Sequence, residues 1–432
     1  FAETGKGDFR PERSAARMNA TDQFLDETKA LACVHCGLCL SSCPTYLETG
    51  NENDSPRGRI YLMRAMQSGQ LDVESTTVRH IDLCLGCRAC ETACPSGVQY
   101  GSLLEATRDH IEKHHGRGMF QWLLRRLVIE QVFPFPWRMY VALWPVRVIR
   151  FLRLGFLLPK FTREMMELLP QRMVKGKLPA ERLAKRETRG KVGFIEGCVM
   201  QVMFGDTNES SAELLNRDGW DVITPRGQGC CGALYAHSGQ LAKARDCARR
   251  NIAVFENEPL DAIIINAAGC GSTLVEYGEL LKDDPAWTER AEAFSAKVKD
   301  LVSWLEVSRL TACGSREKVT YHDACHLAHA QGITAEPREL VKAKSGGELV
   351  ELAESDLCCG SAGSYNLTEP EMASRLQKRK VQNIIESGAE VVVTTNPGCL
   401  LQIQSGLRKA GAHHIRALHI ADYLLEASTA DD

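Results

Sequence analysis

The sequence predicts an α+β chain: a helical domain built around a duplicated cysteine run, then two duplicated α/β units that also carry cysteines. Three observations predict it. The first is the run C-x2-C-x2-C-x3-C-P at Cys33–Pro44 (CVHCGLCLSSCP) and again at Cys84–Pro95 (CLGCRACETACP). The second is a repeated series at 191–310 and 318–427: a strand-like run ending in cysteine, a Cys-Cys-Gly, and a second strand-like run ending in cysteine. The third is the alternation, within each repeat, of apolar β-rich runs with helical stretches such as QLAKARDCARRNIAVFE, the pattern of strand–helix–strand packing.

A chain of 432 residues is long enough for two or three domains with real cores. Its formal net charge of −3 gives bulk electrostatics no bias towards nucleic acid. The 18 cysteines are the compositional anomaly. In a small secreted chain they would read as disulfides, but this chain is large and its cysteines fall in clusters. Adjacent pairs such as Cys230–Cys231 and Cys358–Cys359 rarely cross-link to each other, because the geometry is strained. Metal ligation in a reducing, cytoplasmic compartment is the better reading. The opening FAETGKGDFRPERSAARMNA is charged and lacks an apolar segment, so no signal peptide is expected. It starts without methionine, so the true N-terminus is expected upstream. No uncharged apolar run approaches about 18 residues, so no spanning helix is expected.

Residues 1–20 are polar and read as an arm, and 21–118 as the domain of the cysteine runs. TDQFLDETKALA has a helix start signal at Thr21 or Asp22 and apolar residues near helical spacing. NENDSPRG reads as a turn punctuated by Pro56 and Gly58, and RIYLMRAM as a helix. The two runs keep a constant offset of 51 residues, Cys33 to Cys84 and Cys43 to Cys94 alike. Thiolate sulfur is a soft ligand suited to iron–sulfur clusters. At this spacing three cysteines close around one corner of a cube, and the fourth, before proline, reaches the other cluster. One [4Fe–4S] cluster is therefore assigned to Cys33, Cys36, Cys39 and Cys94. The second is assigned to Cys84, Cys87, Cys90 and Cys43. Two zinc sites are the competing reading, but zinc favours paired knuckles separated by a longer loop.

Residues 119–190 form the connector. Its first part, 119–160, interleaves Trp122, Trp137 and Trp144 with Arg125, Arg126, Arg138, Arg147, Arg150 and Arg153. Pro134, Pro136, Pro145 and Pro159 are expected to break it into short helices. Such pieces suit a membrane interface, with arginines meeting anionic headgroups, but packing against the domains on either side or against a partner subunit is the favoured reading. Residues 161–190, rich in Lys, Arg and Glu, read as an exposed linker.

The α/β units occupy 191–310 and 311–432. The first carries Cys198, Cys230, Cys231 and Cys270; the second carries Cys325, Cys358, Cys359 and Cys399. Intervals of 32 and 33 residues to the Cys-Cys pair, then 39 and 40 beyond it, mark the duplication. The cysteines fall at strand ends, where the loops at one edge of a parallel sheet converge.

Cys…CCG…Cys twice, after a two-cluster ferredoxin domain, resembles the cysteine-rich (CCG) domain proteins. Among these are the D subunit of heterodisulfide reductase and the C subunit of anaerobic glycerol-3-phosphate dehydrogenase. The closer resemblance is to the iron–sulfur subunits of glycolate oxidase, carried by CVHCGLCLSSCPTY, SPRGRIYLM, CRACETACPSGVQY, EGC at Glu196–Cys198, GCCGA, GCGSTLVEYG and LCCGSAGSYNL. It implies an electron-transfer subunit in a membrane-associated complex, lying at the inner face of the cell membrane. An FAD-bearing partner would oxidise glycolate or a related 2-hydroxy acid, and electrons would leave towards the quinone pool. No G-x-G-x-x-G opens a helix after a strand, in keeping with the flavin sitting on another chain.

One departure matters. In the heterodisulfide reductases the motif ends in C-x-x-C, but here Gly271, Ser272 and Thr273 follow Cys270, and Leu400, Leu401 and Gln402 follow Cys399. Four thiolates remain in each copy, enough for an ordinary cube. A third [4Fe–4S] cluster is expected in one copy, the second being favoured because His322 and His326 flank Cys325. His322, His326 and His329 are expected to orient cluster loops by hydrogen bonds, with quinone protonation the minority reading. His35, Arg88 and Glu91 are candidates for tuning the first pair of clusters. Cys247 and Cys313 lie outside every motif, and Cys247 reads as a small buried residue.

Overall fold

The structure, a computed structural model, describes residues 23–152, 156, 166, 169–170, 173–309, 317–345 and 349–426. The arm 1–20 and Thr21, Asp22, Arg153, Pro159 and Cys313 lie outside these residues.

The cysteine runs are set among short helices. Asp26 caps the helix Glu27–Leu31 by accepting from the Lys29 N–H at 3.2 Å, so the described helix begins five residues or more after the expected start. Ser55 caps Pro56–Gln67 in the same way, accepting from Gly58 N at 3.0 Å, and Pro56 occupies the first turn where its missing N–H costs nothing. Ile60, Met63 and Met66 of that helix meet Leu103, Leu104 and Ile111 of the helix Tyr100–His114, and Val78 and Ile81 of Ser75–Asp82 close this core. Each large aliphatic side chain buried here contributes on the order of 1.5–3 kcal/mol. The core therefore holds the loops between the helices, which carry the cysteines.

The connector departs from expectation at one proline. Pro145 does not break it: it lies inside the helix Pro136–Phe151. Its ring removes the hydrogen bond to the Val141 carbonyl, and that turn is on an exposed face where the loss is cheapest. Most of its described arginines are engaged within the chain, while Arg126 stays exposed. Arg125 pairs with Glu112 at 2.9 Å, Arg126 with Glu130 at 3.0 Å, and Arg150 donates to the carbonyl oxygens of Met166 and Pro170. Arg147 stacks over Tyr140 and Arg138 over Phe135. What the helix leaves exposed is apolar: Trp137, Val141, Trp144 and Phe151. Among the described residues no helix is long and apolar enough to cross a membrane.

Each α/β unit contains its own sheet. In the first, the order is β1 (Glu181–Arg182), β3 (Trp220–Ile223), β2 (Gly190–Phe194), β4 (Ala262–Ile265), β5 (Val298–Asp300), parallel except for β1. In the second, the order is β7 (Leu349–Val350), β6 (Val319–Tyr321), β8 (Val391–Thr394), β9 (Arg416–His419), all parallel. The registers repeat: Val192 faces Ala262 in one sheet and Val319 faces Val391 in the other. The linker expected at 161–190 is, over 173–190, mostly exposed as expected, but it is docked on the first unit at two points. β1 adds to its sheet, Leu178 is buried, and Leu178 N donates to Glu196. Two of its basic residues also reach acidic groups of that unit, Arg182 to Glu213 at 2.7 Å and Arg189 to Asp218 at 3.0 Å.

The two units dock edge to edge of their cysteine loops. Ala268 N donates to Thr395 O, Gly269 N to the Asn396 side chain, and the His419 ring lies 2.9 Å from Asn266 O. The hydrophobic cores run through both units, as Val192, Ile264, Val319 and Val393 share one cluster.

Asp300, at the end of β5, caps the helix Leu301–Trp304 and is fully buried, with one carboxylate oxygen unpartnered. Burial pushes its pKa up to about 7. Because the folded carboxyl binds its proton more tightly than the unfolded one, its ionisation costs stability as pH rises from about 4 towards 7. Asp300→Asn keeps the cap and removes the charge. It is expected to raise the stability at pH 8 by on the order of 3 kcal/mol, with the gain shrinking at pH 5.5, measured by thermal unfolding at both pH values.

Candidate metal centres

The first cysteine run curls around a loop with two left-handed residues, His35 (φ 55°) and Gly37 (φ 87°). Arg57 stitches it, donating to His35 O at 3.1 Å and pairing with Glu52 at 2.6 Å. A side chain at Gly37 would come within 2.7 Å of the Arg57 guanidinium. Cys36 is exposed, whereas Cys33, Cys39 and Cys94 are half-buried against the common helical core.

The other four thiols converge. Cys43, Cys84, Cys87 and Cys90 line one pocket, with Arg59, Arg88 and Tyr100 in its wall. Cys43 comes from the first run and the rest from the second. The polar groups here point at sulfur: Gly86 N to Cys84 Sγ at 3.4 Å, Tyr100 OH to Cys84 Sγ at 3.6 Å, and Arg59 Nη1 to Cys43 Sγ at 4.0 Å. Burial pushes the Cys87 and Cys90 thiols well up. It would do the same to Cys84, but Arg59 and Arg108 outweigh it and hold that thiol below its ordinary value. Buried thiols of this kind ionise readily only against a cation, which fits an iron–sulfur group held by all four. Of the tuning candidates, Arg88 reaches across to Glu276 of the first α/β unit, and Glu91 accepts from Gly101 N at 2.6 Å.

In each α/β unit the thiols gather at the C-terminal ends of the two central strands. Cys198 follows β2 and Cys270 follows β4; Cys198 Sγ lies 3.6 Å from Cys230 Sγ. Cys230 also contacts Cys231, and Cys231 contacts Cys270. Asn251 fixes the loop by accepting from Gly229 N and donating to Cys230 O, while Tyr277 donates to Cys231 O at 2.7 Å. Gly232 is needed twice over: its φ is 90°, and a Cβ would press on the helix at Ala244 O, 3.2 Å away.

Cys247 belongs to this group. It is half-buried, not buried as expected, and its thiol contacts Cys230. The first unit therefore presents five thiols where the motif shows four. Position 247 lies on a helix far from the motif in sequence, and helical periodicity alone reports it only as a core-facing residue.

In the second unit Cys325 contacts Cys358, and Cys359 contacts both Cys358 and Cys399. The buried Lys380 donates to Ser355 O at 3.3 Å and to Glu354 O, and it faces the Cys358 and Cys359 thiols. His326 places Nδ1 3.7 Å from Cys325 Sγ and stacks on His237 of the first unit, with centroids 5.0 Å apart. His329 bonds Thr92 and Asp356 O. His326 and His329 thus take up loop-orienting positions. His322 does not: its ring makes no hydrogen bond of normal geometry.

The two halves of the chain meet at these thiols. Cys87 shares a buried cluster with Cys325 and Cys358, together with Leu83, Leu85 and Ala89, and Tyr365 OH donates to Leu83 O at 2.8 Å.

Models of two families match the chain: a 4Fe-4S dicluster domain over residues 29–98, and a cysteine-rich (CCG) domain over 192–275 and again over 319–404. A probable glycolate oxidase iron-sulfur subunit of Bacillus subtilis (strain 168) is 40% identical over 430 residues, covering 95% of this chain and 96% of that one. The chain belongs to the glycolate oxidase iron–sulfur subunit family. The glycolate oxidase iron-sulfur subunit of Escherichia coli (strain K12) is 37% identical, with 90% and 93% covered. More distant is a fumarate reductase (CoM/CoB) subunit of Methanothermobacter marburgensis, 27% identical with 95% and 75% covered. As a member of this family the chain is an oxidoreductase iron–sulfur subunit, and its architecture is the expected one: a helical dicluster region followed by two CCG units.

Proposed function

We propose that the chain passes electrons from a flavin on a partner subunit, where glycolate or a related 2-hydroxy acid is oxidised, towards quinone. The observation that carries this reading is the continuous thiol-lined interior, from the Cys43–Cys84–Cys87–Cys90 space through Cys87 to Cys325 and Cys358. Iron–sulfur clusters bound by these thiols would exchange single electrons with the flavin and with each other. The ligand sets proposed are Cys33, Cys36, Cys39 and Cys94 for one [4Fe–4S] cluster, and Cys84, Cys87, Cys90 and Cys43 for the second. A third is proposed in the second CCG unit at Cys325, Cys358, Cys359 and Cys399, because that set adjoins Cys87. Arg59, Tyr100 and Gly86 N–H stabilise negative charge at the sulfurs of the second set. The exposed Cys36 makes the first set the natural point of electron entry.

The stripe Trp137, Val141, Trp144 and Phe151 is proposed as the face turned to the flavin-bearing subunit or to the membrane surface. Arg125 and Arg150 are engaged within the chain, which favours the protein partner. A second reading, reduction of a disulfide or quinone at a CCG centre, is favoured by one observation: Cys247 gives the first unit a fifth thiol.

Anaerobic co-purification with iron analysis tests the proposal. The expected result is a co-purifying flavoprotein that oxidises glycolate, and about twelve irons per chain. About eight irons would remove the third cluster, and disulfide reductase activity in place of hydroxy-acid oxidation would establish the second reading.

A further inference from the structure

The duplicated CCG units differ at the position three residues before the first cysteine. The first unit has Ile195 before Cys198, a fully buried apolar residue of its core. The second has His322 before Cys325, equally buried. A buried imidazole without partners is costly, since desolvating a polar ring brings no compensating bond. Neither ring nitrogen of His322 makes a hydrogen bond of normal geometry. The Ser355 carbonyl faces the ring and is the one neighbour that favours its N–H. A nitrogen of the ring and the sulfurs of Cys359 and Cys399 lie within 4.8 Å of one another. Asn396 Nδ2 points at Cys399 Sγ from 3.6 Å, which fixes that thiol's position.

A buried ring with a backbone carbonyl beside it and a nitrogen close to two thiols has the surroundings of a metal-ligating histidine. We propose that His322 is a nitrogen ligand of the metal centre in the second CCG unit, beside Cys359 and Cys399 and in place of one of the other two cysteines of that set, so that this centre is a mixed imidazole–thiolate site. The proposal rests on the reading that the second unit holds a metal centre. One borderline nitrogen beside soft thiolates suits an iron–sulfur cluster or zinc, and the experiment separates the two.

The first unit solves the same problem differently. The helix residue against Gly232 is Cys247, and its counterpart against Gly360 is Leu376. Each unit thus has one donor beyond its motif, a thiol in the first and an imidazole in the second. A neutral nitrogen in place of a thiolate leaves a centre less negative, and so easier to reduce. In an iron–sulfur cluster this would make the second-unit centre an electron sink beside Cys87.

The test uses the full chain, prepared anaerobically with natural-abundance and with 15N-labelled histidine. The variants are His322→Ile, the residue the first unit carries, and His322→Cys, which keeps a metal ligand. Iron and zinc are counted, and histidine nitrogen coupling is read by pulsed EPR of the reduced protein, or by X-ray absorption if the extra metal is zinc. The expected result is metal beyond about eight irons, and one histidine nitrogen coupling that responds to the label and is absent in both variants. In the iron case His322→Cys retains the metal and shifts its midpoint to more negative values. Extra metal with an all-sulfur shell, or a nitrogen signal that persists in both variants, overturns the assignment and leaves the third centre standing. No metal beyond about eight irons overturns both.

Discussion

Replacing Cys43 with alanine is expected to remove about four irons and the EPR signal lost in Cys87→Ala, not the one lost in Cys36→Ala. Cys43 lies in the first cysteine run, but its sulfur lines the space shared by Cys84, Cys87 and Cys90. It is carried there by its place just before Pro44, which opens the helix Pro44–Thr49 and turns the chain away from the preceding loop. Thr45 Oγ1 at 3.3 Å and Asp54 O at 3.6 Å hold the sulfur in that direction. By the same pairing, Cys94→Ala is expected to match Cys36→Ala. Iron analysis and EPR of the four variants decide the matter. If Cys43→Ala loses the signal of its own run, the crossed assignment is wrong. Loss of the second centre should also disconnect the CCG unit, because Cys87 is the thiol that shares a buried cluster with Cys325 and Cys358.

Arg59→Met is expected to make the midpoint potential of the second centre more negative by about 60–120 mV. The guanidinium is buried and reaches Cys43 Sγ at 4.0 Å, and with Arg108 it outweighs burial at Cys84. Reduction adds negative charge to the thiolate-bound centre, so a buried cation favours the reduced state. A charge-assisted contact contributes about 1.5–3 kcal/mol, and for a one-electron couple about 1.4 kcal/mol corresponds to 59 mV. Methionine retains most of the packing, while Asp54 keeps its contact with His80 at 2.7 Å. A potentiometric titration followed by EPR gives the shift. An unchanged midpoint with the signal intact would show that Arg59 is purely structural.

Most of the architecture was legible because duplication is a sequence-level signal. The offset of 51 residues between the runs, and the nearly equal intervals in the CCG units, survive whatever the chain does in three dimensions. Strand ends were legible too, since KVGFIEGC and KVTYHDAC are apolar runs stopped by a small residue and a cysteine. The docking of 173–190 through β1, Leu178 and the ion pairs to Glu213 and Asp218 was not legible, because it joins residues far apart in sequence while most of the stretch stays exposed as its composition suggests. Charge in a sequence shows that a group needs a partner, not where that partner is.

The sequence alone determined which residue types and spacings were available: two runs of four cysteines, two sets of Cys…CCG…Cys, and the class of metal they suit. The tertiary structure decided the company each one keeps. It brought Cys43 to the second run, Cys247 to Cys230, His322 to Cys359 and Cys399, and Cys87 to Cys325. The physical reason is that ligation and electron transfer depend on distances of a few ångströms through space. Residues 198 and 247, or 87 and 325, become neighbours only when apolar burial closes the helices and sheets on one another.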